Sequence, residues 1–152
     1  MANLNFKEDL ILGNEGEVII REFLELKGLK YVKSNDDNKY DLKMIKKGKE
    51  VTYEIKTDVL VSPKKDTGNL FVEFKCRGKA SGIETSQADW FVTYFKYLDE
   101  IWFIKTDKLK ELLNDKANFF KVITTAGDKG SNTHGYLVNR KKYRNHFHVC
   151  KL

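Results

Sequence analysis

Residues 40–60, YDLKMIKKGKEVTYEIKTDVL, constrain this chain more than any other stretch, because they read as two strands joined by a tight turn. A turn centred on Lys47-Gly48 sets Lys46 against Lys49 and, counting outward, Asp41 opposite Glu54. Opposed residues of antiparallel strands lie within about 5.5 Å of each other. Side chains alternate along a strand, so Asp41, Lys43, Glu54 and Lys56 share one face. Tyr40, Leu42, Met44, Tyr53 and Ile55 share the other, which is the core face. The first face sets two carboxylates against each other beside a lysine, and like charges directly opposed destabilise a sheet. A cationic group is expected to offset them, and a divalent metal is the candidate.

The flanking chain supplies a frame for this hairpin. Residues 13–27 predict a helix, with Asn14 as N-cap, Glu15 and Glu17 at its positive end and Gly28 as its stop. Ile20, Phe23, Leu24 and Leu26 form its apolar stripe. Glu17 falls on the same side, and two accounts of it stand. Either it is a first-turn acid favoured by the helix dipole, or it points to the sheet and joins the site around Asp41. Tyr31–Lys33 suggest a lead-in strand and residues 34–39 a polar loop. The second hairpin strand is expected to reach Val61, before the sole proline, Pro63.

Residues 70–77, LFVEFKCR, form the next strand and carry a second Glu-x-Lys, Glu73-Phe74-Lys75. Glu54-Lys56 is preferred as the site because its register with Asp41 can be argued, and a solvated edge is the favoured reading of Glu73 and Lys75. A short helix is expected at Thr85–Trp90, followed by interior strands at 90–95 and 101–105. An amphipathic helix over 106–116, capped by Thr106, turns Leu109, Leu112 and Leu113 inward. Strands at 119–126 and 135–139 follow, around a mobile loop at 127–135. His146 and His148 alternate on a possible terminal strand and lack a third ligand, so they read as ordinary polar residues. No internal repeat, low-complexity tract or linker divides the chain, so residues 1–152 are expected to be one domain, a mixed α/β sheet flanked by helices.

Charge points to an anionic partner: the net charge is +6, most of it from lysine. Cys76 and Cys150 are the only cysteines and lack metal-ligand spacing, which argues against a disulfide framework or a zinc site. No apolar run approaches the roughly 20 residues of a membrane span, and no signal peptide opens the chain. A cytoplasmic setting is expected.

The order helix with Glu17, then Asp41, then Glu54-x-Lys56 resembles the PD-(D/E)XK nuclease superfamily. Within it the pattern looks most like archaeal-type Holliday junction resolvases and related small phage endonucleases. Gly13-Asn14-Glu15-Gly16-Glu17, the apolar helix ending at Gly28, and Tyr40-Asp41-Leu42 carry the likeness, which covers residues 13–57 and extends loosely through Trp90. Tyr40 replaces the superfamily's proline, and LFVEFKCR and SGIETSQADW depart from the resolvases. The resemblance implies a restriction-endonuclease-like α/β core and metal-dependent hydrolysis of DNA phosphodiester bonds, leaving 5′-phosphate and 3′-hydroxyl ends.

On that reading Asp41 and Glu54, with Glu17 and the Ile55 carbonyl, offer hard oxygen ligands for Mg²⁺ or Mn²⁺. Lys56, beside two carboxylates that favour its charged form, suits electrostatic stabilisation better than general-base work. Gln87 is the candidate for the family's helix-borne glutamine. Lys64, Lys65, Arg77 and Lys79, with Arg140, Lys141, Lys142 and Arg144 of the basic tail, are the candidates for DNA phosphates. A junction or duplex substrate cut twice implies a homodimer, and a phage-encoded chain would work in the host-cell cytoplasm. Three alternatives stay open: a repair- or restriction-type nuclease acting on duplex DNA, a non-catalytic nucleic-acid-binding module of the same fold, and an interaction protein using its aromatic strands.

Overall fold

The computed structural model describes residues 15–33 and 39–152. Asn14, the expected helix cap, and residues 34–38 of the polar loop lie outside them. The described chain runs through α1 (15–26), β1 (Lys30–Tyr31), β2 (Leu42–Lys46), β3 (Lys49–Asp58), β4 (Asn69–Cys76), β5 (Lys79–Ala80), β6 (Trp90–Phe95) and β7 (Glu100–Lys105). It continues through α2 (Thr106–Asn114), β8 (Lys121–Ala126), β9 (Thr133–Asn139), α3 (Arg140–Tyr143) and β10 (His148–Lys151).

The hairpin has the expected register, from Lys46↔Lys49 at the turn to Leu42↔Tyr53. Lys47 (φ 49°) and Gly48 (φ 78°) both take positive φ, the twist a two-residue turn needs to match its strands. β3 then pairs in parallel with β6, from Tyr53↔Trp90 to Asp58↔Phe95. β6–β7, β7–β10 and β1–β2 are antiparallel, giving a mixed six-stranded sheet in the order β1-β2-β3-β6-β7-β10. The fold is mixed α/β, with this sheet at its centre.

Both faces of the central sheet are covered, and residue alternation assigns the cover. On one face Ile20 and Leu24 of α1 pack with Leu42, Met44, Tyr53, Ile55, Val92, Tyr94, Ile101 and Phe103. Leu26 falls outside the expected stripe, 88% exposed. On the other face Phe91, Phe95, Trp102 and Ile104 pack with Leu109 and Leu112 of α2 and with Leu70, Val72 and Val138. Those last three belong to a second, antiparallel sheet ordered β5-β4-β9-β8. Sequence alternation places these strands as strands but not in a separate sheet. The chain leaves the central sheet at Asp58, three residues before Val61, and turns tightly at Ser62–Lys65, where two backbone bonds close the loop around Pro63.

A parallel connection is usually helical, yet the path from β3 to β6 runs through β4, β5 and a 3-10 turn at Gly82–Glu84. The helix expected at Thr85–Trp90 is absent. Asp89 instead ties the start of β6 to β3: its carboxylate accepts from the Thr52 N–H (2.9 Å) and hydroxyl (3.1 Å), and its own N–H donates to the Thr52 hydroxyl (3.0 Å). Thr106 is not a cap either. Lys105 holds that position without a side-chain bond, and the Thr106 hydroxyl is buried. β9 begins inside the loop expected to run to residue 135, and the last strand is β10, which holds His148 while His146 lies in a 3-10 turn.

Candidate active site at the free edge of β3

The β2 ladder stops at Leu42, while β3 runs on to Asp58 with β6 along its other side. From Glu54 onward, one edge of β3 therefore has no strand partner among the described residues. Asp41 occupies the start of this edge. Its N–H donates to the Tyr53 carbonyl (2.9 Å), one place off the register of the rest of the hairpin, and its Oδ2 accepts the Ile55 N–H at 2.7 Å. Asp41 is thus not a ladder residue facing Glu54, as the alternation predicts. Its carboxylate takes the place of the missing strand. A strand residue's N–H and C=O point the same way, so the Ile55 carbonyl is directed to that edge too.

Two layers deliver the other groups. Thr57, on the α1 face of β3, meets Gly16 so closely that a Cβ on Gly16 would lie 1.9 Å from the Thr57 hydroxyl. That approach sets the first turn of α1 against β3 and carries Glu17 toward Asp41. Burial, then the charge of Asp41, pushes the Glu17 carboxyl up to about 7. The first turn of α1 thus lies against β3, and the Asp41 charge is felt at Glu17. Glu54 is also pushed up to about 7, by burial first, then by Asp41, with Glu17 and Glu73 adding and Lys56 opposing. Asp41 is raised by burial, against the pull of the Ile55 amide and Lys56.

The structure therefore sets Glu17, Asp41, Glu54, Lys56 and the Ile55 backbone in one neighbourhood. Glu73, of the second Glu-x-Lys, is partly exposed on β4 of the other sheet, and its charge is the smallest of those acting on Glu54.

Whether these residues suit a divalent cation can be asked of the donors themselves. They are all hard oxygens and outnumber the one nearby lysine, and burial first, then repulsion by Asp41, raises the proton affinity of Glu17 and Glu54. Hard oxygen donors are the chemical class that Mg²⁺ and Mn²⁺ prefer. As the side chains stand, no three His, Cys, Asp or Glu groups among the described residues converge closely enough to hold an ion.

The basic candidates divide. Arg140 is only 8% exposed, so it is not part of a basic surface. Its guanidinium pairs with Asp66, its Nε donates to the Asn69 carbonyl (3.2 Å), and it lies 4.8 Å over the Phe95 ring. The distant Asp66 makes this burial tolerable, which local sequence could not show. Lys64, Lys65, Arg77, Lys79, Lys141, Lys142 and Arg144 are exposed, with Arg144 5.4 Å over Trp102. Arg77 sits at positive φ in the β4–β5 turn. Gln87 is exposed in a loop rather than on a helix, and lines a cleft with Trp90, Lys105 and Lys110.

No known protein-family model matches this sequence, and no curated protein matches it. No helix among the described residues is long and apolar enough to cross a membrane. The fold is similar to that of a bacterial homing endonuclease, I-Ssp6803I, with a TM-score of 0.54 at 16% sequence identity, covering 84% of this chain and 76% of that one. At that identity the likeness is one of fold.

Proposed function

We propose that this chain is a divalent-cation-dependent endodeoxyribonuclease of the PD-(D/E)XK type. The observation that carries the reading is the Asp41 carboxylate fixed on the Ile55 N–H, beside Glu54 and Lys56 at the free edge of β3. The nuclease named for the similar fold supports it.

Asp41 and Glu54, with Glu17 and the Ile55 carbonyl, are the residues that would hold Mg²⁺ or Mn²⁺. Bound there, the ion supplies Lewis acidity toward the scissile phosphate and a water of lowered pKa. Asp41 keeps one oxygen engaged with the backbone, which fixes its orientation. Lys56 projects on the same face as Glu54 and stabilises negative charge that develops on the phosphate oxygens. Lys64, Lys65, Arg77 and Lys79, with Lys141, Lys142 and Arg144, grip the DNA backbone and set the salt dependence of binding. A branched substrate, as the resolvase likeness suggests, or a duplex cut on both strands would engage a homodimer with two such sites.

The test is cleavage of supercoiled plasmid and a panel of branched and linear DNAs with Mg²⁺ or Mn²⁺. Asp41→Ala and Lys56→Ala are expected to abolish cutting while circular dichroism stays unchanged. Full activity in either variant sinks the assignment. Salt-sensitive DNA binding without nicking in any metal favours the non-catalytic module.

A further inference from the structure

The tip of the β2–β3 hairpin departs from two local preferences, both times with lysine. Lys46 stands directly opposite Lys49, and like charges directly opposed destabilise a sheet. Between them Lys47 sits at φ 49°, a left-handed conformation that strains a residue with a Cβ and that asparagine or glycine takes more readily. Lys46, Lys47 and Lys49 are all exposed, and none makes an ion pair or hydrogen bond among the described residues. Glu50, the acid beside them, is already taken by Lys43 at 3.3 Å. β1 brings in another exposed lysine, Lys30, opposite Ile45 and so one register place from Lys46. A single exposed lysine is ordinary. Lysines gathered where the register opposes two of them and the turn strains a third form a positive surface that a bound polyanion relieves.

The strand also sets a distance. Lys49 and Glu54 lie on β3, five residues apart, which is about 17 Å along a strand. Duplex DNA rises about 3.4 Å per base pair, so one duplex covers that span in about five base pairs. We propose that the hairpin tip, through Lys46, Lys47 and Lys49 with Lys30 beside them, is a second grip on the phosphate backbone of duplex DNA. It lies at the opposite end of the hairpin from the cutting edge, and it is separate from the basic residues assigned to DNA above. The proposal rests on the DNA-cleaving reading and names the surface that holds the substrate away from the scissile bond. Such contacts carry affinity and salt dependence rather than sequence preference. Because the lysines stand on a two-residue turn between paired strands, their distance from Asp41 and Glu54 is fixed by the ladder.

The experiment is fluorescence-anisotropy binding of a linear duplex to the intact protein in EDTA, across a series of salt concentrations. Lys46→Gln, Lys47→Gln and Lys49→Gln combined are expected to lower the slope of log affinity against log salt by about 2–3. Lys47→Asn alone is expected to lower it by about 1 while raising the melting temperature, since asparagine suits the turn. Weaker binding from a more stable fold separates a DNA contact from a turn residue that is merely structural. Lys116→Gln, Lys121→Gln and Lys129→Gln combined make a control of equal charge on and beside the outer sheet, and should leave the slope unchanged. An unchanged slope in the hairpin variants, or an equal fall in the control, overturns the hairpin grip and leaves the cleavage reading standing. A lysine-dependent slope in a wild type that nicks DNA in no metal overturns the cleavage reading and leaves the grip. No salt-sensitive binding by the wild type overturns both.

Discussion

Asp41 does two things at once: it completes the backbone hydrogen bonding of a strand that has lost its neighbour, and it presents a carboxylate to the site. Around it, Glu17 and Glu54 are carboxyls whose folded pKa, about 7, lies above the ordinary 4.5. The folded protein thus binds their protons more tightly than the unfolded chain does. The stability this gives is full below about pH 4.5 and is lost as pH rises toward 7. Glu54→Gln removes a charge that burial, then repulsion by Asp41, makes costly, and is expected to stabilise the metal-free protein at pH 8 by about 1–2 kcal/mol, after discounting for partial exposure. It should also flatten the fall in stability between pH 5 and 7. Urea melts across that range check this, and a Glu54→Gln variant less stable than wild type at pH 8 contradicts it. The same residues show what local sequence could not carry. Alternation put Asp41 and Glu54 in one neighbourhood, but the slip that turns Asp41 onto the Ile55 amide depends on where β2 stops.

Among the elements, the hairpin was legible and the helical guesses less so. A two-residue turn with a residue ready for positive φ pins register, and one apolar face forbids a slip of one. Helix α2 was legible from its leucines. The segment 82–90 was not, because Gly82 and Asp89 serve contacts far away in sequence, to Glu73 and Thr52. The seating of α1 on β3 gives an element-level prediction. Gly16→Ala improves helix propensity yet forces a methyl group into the Thr57 hydroxyl, with an expected net loss of about 1–3 kcal/mol. Thr57→Ala alone removes a buried hydroxyl that has no partner, and should cost little. Combined with Gly16→Ala it should restore much of the loss. A double-mutant cycle by urea denaturation measures the coupling, and strictly additive losses would show that this contact does not set the helix.

Across the whole molecule, β6 and β7 present apolar faces to both covering layers, so the central sheet is shared by two cores. Trp102 lies in one core and Phe103, next in sequence, in the other. Loss of either layer exposes the sheet that the other needs. Tryptophan fluorescence and far-ultraviolet circular dichroism should therefore trace a single coincident urea transition. Two separated transitions would show that the second sheet melts alone. The second sheet was invisible to pattern reading for a related reason: β4 pairs with β9, which the chain reaches only after β6, β7, α2 and β8.

That route has a consequence for how such a protein can change. The chain leaves the central sheet for β4 and β5, returns for β6 and β7, leaves again for β8 and β9, and returns once more for β10. The outer sheet is stitched from two separate excursions. It cannot be exchanged as a cassette by one insertion, one recombination event or one graft, since either excursion alone has lost its pairing partner. New substrate preference in this architecture must come by point changes on surfaces already in place, or by lengthening turns such as Lys47-Gly48 that no pairing crosses.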